Sequence, residues 1–78
     1  MVKKYGELYL NARKALRLVE GDNAAVYARE LLALASGKTV ASLLADRELY
    51  ASEAIEEKLN GYLSRVLAGE PLAYILGE

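Results

Sequence analysis

The chain has 78 residues, of which 54% are apolar, and its ten basic and eleven acidic residues leave a net charge of −1. This composition is typical of one small globular domain rather than a disordered segment, and it disfavours general nucleic-acid binding, which usually needs a strongly basic domain. The chain contains no histidine and no cysteine, so it lacks the commonest general base and the usual ligands of zinc and iron–sulfur sites.

The first predicted helix begins at Tyr5, where apolar residues start to recur every three or four positions. The stripe that should face the core is Tyr5, Leu8, Tyr9, Ala12, Ala15, Leu16 and Val19. Gly21 ends the helix, because glycine readily adopts the left-handed conformation that follows a last helical turn. Gly6 lies inside this helix and should cost about 1 kcal/mol relative to alanine.

The second predicted helix follows Asp22 and Asn23, whose side-chain oxygens are suited to cap its first turn. Its core-facing stripe is Ala24, Ala28, Leu31, Leu32 and Ala35. The same pattern predicts that Arg29 and Glu30 face outward. Gly37 ends the helix.

Two capped helices come next. Thr39 is predicted to cap a short third helix that ends near Asp46, and Ser52 to cap a fourth helix that Gly69 ends. The apolar stripe of the fourth helix is Ile55, Leu59, Tyr62, Leu63 and Val66. Gly61 interrupts this helix, and we expect it to pack closely against a neighbouring helix.

Pro71 suits the first turn of a brief fifth helix over residues 72–76. No strand-like alternation and no internal repeat competes with these helical patterns. Because the intervening loops are short, neighbouring helices should pack roughly antiparallel. The sequence therefore predicts an all-α fold, a small bundle of five short helices that forms a single domain over residues 1–78.

Two groups of residues resemble functional sites but have simpler interpretations. Gly37-Lys38-Thr39 resembles the end of a phosphate-binding loop, but that motif also needs a glycine where this chain has Leu32. The densest carboxylates, at positions 53, 56 and 57, lie along one helix start, where the helix dipole favours them, so we interpret them as a solvated face.

The core-stripe tyrosines are interpreted as core residues whose hydroxyls reach the surface: Tyr5, Tyr9 and Tyr62.

The outer face of the first helix is the strongest candidate for a contact surface. Lys3, Arg13, Lys14 and Arg17 lie opposite the core stripe and surround Leu10. Folding does not require four cations around an apolar side chain, so this face is a candidate contact for an acidic partner. The alternative is an ordinary solvated face with one stray leucine.

The most distinctive stretch is residues 69–78, Gly-Glu-Pro-Leu-Ala-Tyr-Ile-Leu-Gly-Glu, after an arginine-containing helix. It resembles the end of the N-terminal domain in the HemK/PrmC family of protein-glutamine methyltransferases. Residues 28–32 resemble the family's Ala-x-Glu-Leu-Leu helix, and residues 39–46 resemble its short third helix. The family often has paired arginines before Gly-Glu-Pro, whereas valine follows Arg65 here. No role of a second arginine is therefore carried over.

This resemblance implies that relatives use S-adenosylmethionine to methylate the glutamine amide in the Gly-Gly-Gln motif of peptide-chain release factors. It places the cofactor's glycine-rich loop and an Asn-Pro-Pro-Tyr motif in a separate catalytic domain, and neither string occurs here. The chain would then be the release-factor-recognition domain, without catalytic, cofactor-binding or metal-binding residues. We expect more chain to follow, with residues 70–78 starting an interdomain joint formed by Gly69, Glu70, Pro71, Tyr74 and Gly77.

Two other interpretations stay open, a free-standing helical protein-interaction module and a helix-turn-helix DNA-binding protein. The near-neutral charge and the lack of a basic recognition helix disfavour the second. Because the chain has no cysteine, no signal-peptide core and no apolar run near the ~20 residues of a membrane span, we expect a cytoplasmic protein without membrane contact. We expect it to be a monomer.

Overall fold

The computed structural model describes residues 2–77 of the chain. Within them lie the helices α1 (Tyr5–Glu20), α2 (Ala24–Ser36), α3 (Val40–Ala45), α4 (Glu53–Leu67) and α5 (Leu72–Leu76). A single 3-10 turn, Gly21–Asn23, connects α1 and α2. The prediction of an all-α bundle of five short helices is confirmed.

The core forms where the predicted apolar stripes meet. Helix α1 packs against α2 and α4, and α2 also contacts α3 and α5. The four largest of the fully buried side chains come from three different helices: Leu16, Leu31, Leu32 and Leu59. Val19 was predicted to be the last core residue of α1, but it is 50% exposed. The buried stripe of α1 therefore ends one turn earlier, at Leu16. Ala51 lies outside the predicted stripes, in the loop before α4, and is also buried.

Two of the predicted helix caps are present and one is not. The Ser42 N–H donates to the hydroxyl oxygen of Thr39 at 3.1 Å, and the Ile55 N–H donates to that of Ser52 at 3.3 Å. The prediction that Asn23 caps α2 is wrong, since its side chain makes no cap hydrogen bond. Its backbone is helical rather than extended, so the amide is not held over the first turn of α2.

The start of α1 is held by the loop between α3 and α4. The N–H groups of Tyr5 and Gly6 donate to the carbonyl oxygens of Leu49 and Arg47 at 3.0 and 2.9 Å. A Cβ atom on Gly6 would lie only 3.1 Å from that Arg47 oxygen, so a larger residue would push the loop away. A Cβ atom on Gly61 would meet nothing within 4 Å. The expectation that Gly61 packs closely against a neighbour is therefore wrong.

Replacing Gly61 with alanine should stabilise the domain by about 1 kcal/mol, because alanine restricts the unfolded chain and favours the helix without meeting a neighbour. Chemical denaturation of the Gly61→Ala variant measures this change. Gly6→Ala is the matched control, because any gain in helix propensity there is opposed by contact with the Arg47 oxygen. Equal stabilisation by both substitutions would contradict the close approach at Gly6.

The end of α4 turns the chain back onto the bundle. Gly69 adopts a φ of +103°, and the Glu70 N–H donates to the Arg65 carbonyl oxygen at 3.0 Å. This reversal is the Schellman arrangement that often follows a helix. It allows Leu72 and Ile75 of α5 to become buried in the core.

In the described part of the chain, no helix combines the length and apolar character needed to cross a membrane.

Candidate protein-binding site

The outer face of α1 presents cations and one large apolar side chain to solvent. Arg13, Lys14 and Arg17 are exposed, and Leu10 is 57% exposed among them. Within residues 2–77, no carboxylate forms an ion pair with any of these three cations. We call Leu10, Arg13, Lys14 and Arg17 the α1 face.

Lys3 does not belong to the α1 face, contrary to the prediction. It precedes the first residue of α1, and its Nζ lies 2.8 Å from a carboxylate oxygen of Glu56 on α4. The hydrogen bond to Glu56, followed by the charge of that carboxylate, raises the pKa of Lys3 above its ordinary value. Glu56 is consequently a partner in a link between the N-terminal segment and α4, rather than part of a wholly solvated acidic face.

Three other cations are also paired with nearby carboxylates. The pairs are Lys4–Glu48 at 3.1 Å, Lys38–Asp46 at 3.0 Å and Arg65–Glu70. In each case the hydrogen bond to the carboxylate is the largest cause that raises the pKa of the cation. The basic residues that remain without such partners in the described chain are concentrated on the α1 face and in a neighbouring cleft.

That cleft lies between α1, α2 and α3 and encloses about 250 Å³. We call it the α1–α3 cleft. Its walls are mostly apolar, but two arginines also line it; the lining residues include Tyr9, Leu10, Arg29, Val40, Leu44 and Arg47. Leu10 belongs to both surfaces, so the cleft is continuous with the α1 face.

Arg29 does not face outward as the sequence pattern predicted. Its guanidinium carbon lies 5.6 Å from the centre of the Tyr9 ring, in cation–π contact. Its Nε atom is buried and meets no hydrogen-bond acceptor among residues 2–77. On a helical wheel of α2 alone this position is peripheral, but α1 packs alongside and covers it.

Arg47 reaches the same cleft from the turn after α3. Its carbonyl oxygen accepts the hydrogen bond from the Gly6 N–H, and this contact holds the turn against α1. Sequence reasoning assigned no role to Arg47 because nothing in the local pattern indicates which helix the turn will touch. The signal that could have found this contact was Gly6, since a glycine inside a helical pattern often has a packing reason.

Most of the predicted interdomain joint lies within the described residues. Glu70 pairs with Arg65, whereas Tyr74 is 74% exposed. Gly69 and Gly77 both have positive φ and end α4 and α5. Pro71 precedes α5 as its cap residue rather than occupying its first turn. Glu78, the last residue of the predicted joint, lies outside the described residues.

Cations and apolar side chains dominate the site, and this chemistry suits binding an anionic partner. In the described part of the chain, no group of three or more carboxylates is placed to hold a metal ion.

The family of the chain follows from comparison with known proteins. The model of the PrmC N-terminal domain matches residues 7–77. A release factor glutamine methyltransferase from Haemophilus influenzae is 42% identical over 57 residues, which cover 73% of this chain and 20% of that relative. The chain thus matches about a fifth of the relative's length, and no solved structure matches it. The match to nearly the whole chain favours the predicted family over an unrelated interaction module or a helix-turn-helix protein, and we conclude that the chain belongs to the PrmC N-terminal domain family.

Proposed function

We propose that this chain is the release-factor-recognition domain of an S-adenosylmethionine-dependent protein-(glutamine-N5) methyltransferase. The enzyme would modify the glutamine in the Gly-Gly-Gln motif of peptide-chain release factors, and this domain would bind the factor without catalysing the transfer. The observation that carries the proposal is membership of the PrmC N-terminal domain family, together with the similarity to a relative named release factor glutamine methyltransferase.

The α1 face is the proposed contact for the release factor. Its cations make no ion pairs with described residues, and Leu10 contributes little to the core because more than half of it is exposed. Folding therefore does not explain their presence together. Exposed charges at the edge of an interface mainly accelerate association, whereas an apolar side chain that becomes buried slows dissociation.

The remaining parts of the enzyme would lie outside this chain. We propose that S-adenosylmethionine and the catalytic residues belong to a catalytic domain joined through residues 70–78, and that this chain contains no catalytic, cofactor-binding or metal-binding residue. Exposed Tyr74 on α5 is available for contact with that domain. The proposal places a monomeric enzyme in the cytoplasm, acting on a protein substrate without direct nucleic-acid or membrane contact.

Reversing two charges of the α1 face tests the proposal in a full-length methyltransferase that contains this domain. The double variant Lys14→Glu, Arg17→Glu should lower kcat/KM for release factor about tenfold at low salt, because electrostatic steering accelerates protein association by roughly that factor or more. The difference should shrink at high salt, since the charges are exposed and screened. The melting temperature should stay nearly unchanged.

Lys58→Glu is a control for charge reversal elsewhere, because Lys58 is an exposed cation on α4, outside the α1 face, although it reverses one charge where the double variant reverses two. This variant should methylate release factor almost as well as the parent enzyme. If the double variant also retains the parent kcat/KM at low salt, the α1 face is only a solvated surface, and recognition must lie on another part of the domain.

A further inference from the structure

We infer that the α1–α3 cleft binds a segment of the partner protein in which a large apolar side chain lies next to a carboxylate. The apolar side chain would enter the cleft, and the carboxylate would pair with Arg29. The inference rests on the proposed function, because it specifies which chemistry of the release factor anchors it to this domain.

The size and walls of the cleft fit a side chain rather than a cofactor. Its volume of about 250 Å³ lies below the roughly 300–1,000 Å³ of typical small-molecule sites. Tyr9, Val40 and Leu44 supply apolar walls, and Leu44 is 60% exposed although it lines a hydrophobic cleft. An inserted apolar side chain would remove this surface from water.

The charged residues that line the cleft favour an anionic ligand. Arg29 and Arg47 both line it, and no acidic residue of the described chain does. The buried Nε–H of Arg29 meets no acceptor within residues 2–77, and a buried donor that is left unpaired costs free energy. A carboxylate is the acceptor best matched to a guanidinium, because it can accept two parallel N–H hydrogen bonds.

Tyr9 holds the side chain of Arg29 in place for this contact. The cation–π contact at 5.6 Å restrains the guanidinium before any partner arrives, so less side-chain entropy is lost on binding. The cleft is also continuous with the α1 face, since Arg13 and Arg17 follow Leu10 at three and seven positions along the helix. A row of unpaired cations therefore leads from the surface to the cleft, and this arrangement favours an acidic protein segment over a neutral one.

A peptide titration of the isotopically labelled chain tests the cleft directly. The probe is the blocked tripeptide acetyl-Glu-Leu-Glu-amide, and its uncharged twin is acetyl-Gln-Leu-Gln-amide. The charged peptide should shift the amide resonances of Leu10, Leu44 and Arg47, and the twin should bind about tenfold more weakly, as expected for loss of a charge-assisted hydrogen bond. Absence of saturable shifts at about 20 mM, or equal binding of both peptides, would overturn the inference.

Matched variants separate the cleft from general electrostatics. Arg29→Met keeps a long aliphatic side chain but removes the charge, so it should reduce binding of the charged peptide about tenfold and leave the twin unaffected. Lys58→Met removes one charge elsewhere and should change neither. If Arg29→Met does not fold, Leu44→Ala provides the second variant, because its side chain is largely exposed and its loss should weaken both peptides.

Binding of an intact release factor distinguishes failure of the cleft from failure of the proposed function. If the parent chain binds release factor and both Arg29→Met and Leu44→Ala bind it equally well, the cleft inference is wrong and the proposed function stands. If the parent chain binds no release factor, the proposed function fails, and the peptide titration alone decides the cleft. A dimer of the chain that Arg29→Met abolishes would make a second copy the occupant and overturn the assignment to a partner protein.

Discussion

Deletion of residues 71–78 is expected to lower the free energy of unfolding by about 3–5 kcal/mol, although α5 is only one turn and a half long. The reason is that Leu72 and Ile75 are 9% and 8% exposed, and full burial of each such side chain contributes roughly 1.5–3 kcal/mol. This loss is large for a small domain, because the free energy of unfolding of such a domain can be as low as about 5 kcal/mol. Thermal unfolding followed by far-ultraviolet circular dichroism should therefore show a large fall in melting temperature or a loss of cooperativity.

The control for this deletion is Tyr74→Ala, which alters the same helix at a side chain that is 74% exposed. Its effect on stability should stay within about 0.5 kcal/mol. An unchanged melt after deletion would show that α5 does not contribute to the core. The expected result has a functional consequence. Part of the proposed interdomain joint would then belong to the hydrophobic core, so a movement of the joint would also disturb the packing of the domain.

Leu31→Ala is expected to have the largest effect of any single substitution considered, a loss of about 2–5 kcal/mol. Leu31 is fully buried near the middle of α2, the helix that contacts α1, α3, α4 and α5. Removing its side chain loses the free energy of transfer and leaves a cavity that five short helices cannot easily close. For a domain of this size, the melting temperature should fall by roughly 10 °C or more.

Leu18→Ala makes the same chemical change on α1, where the side chain is 82% exposed. Its unfolding free energy should differ from that of the parent by no more than about 0.5 kcal/mol. Denaturant titrations of the two variants side by side measure the contrast. If both leucine substitutions cost the same, the arrangement of α1 and α2 around the core would be incorrect.

The distribution of charge also bears on function. Lys3, Lys4, Lys38 and Arg65 each have a carboxylate partner, and such exposed surface pairs contribute little to stability. The cations of the α1 face and the α1–α3 cleft have no such partners among residues 2–77. Their positions therefore leave positive charge available along one side of the domain, where an acidic protein would meet it first.

The helices were predictable from the sequence because their signals are local. A 3.6-residue repeat of apolar side chains, a hydroxyl before the first turn and a glycine after the last all act within a few residues of one another. Thr39, Ser52 and Gly37 behave as predicted for this reason. The family resemblance was likewise readable from residues 69–78, because a contiguous motif needs no knowledge of the fold.

Local sequence patterns were enough to predict the helices, most of their core-facing residues and the exposed cations of the α1 face. Which charges are neutralised and which remain available depends instead on contacts between distant parts of the chain. Lys3 meets Glu56 across 53 positions of sequence, and Arg29 and Arg47 meet at one cleft because α1 crosses both α2 and the turn after α3. A helical pattern specifies on which side of its own axis a residue lies, but contacts between helices depend on how the loops bring their axes together, and that information is spread over the whole chain.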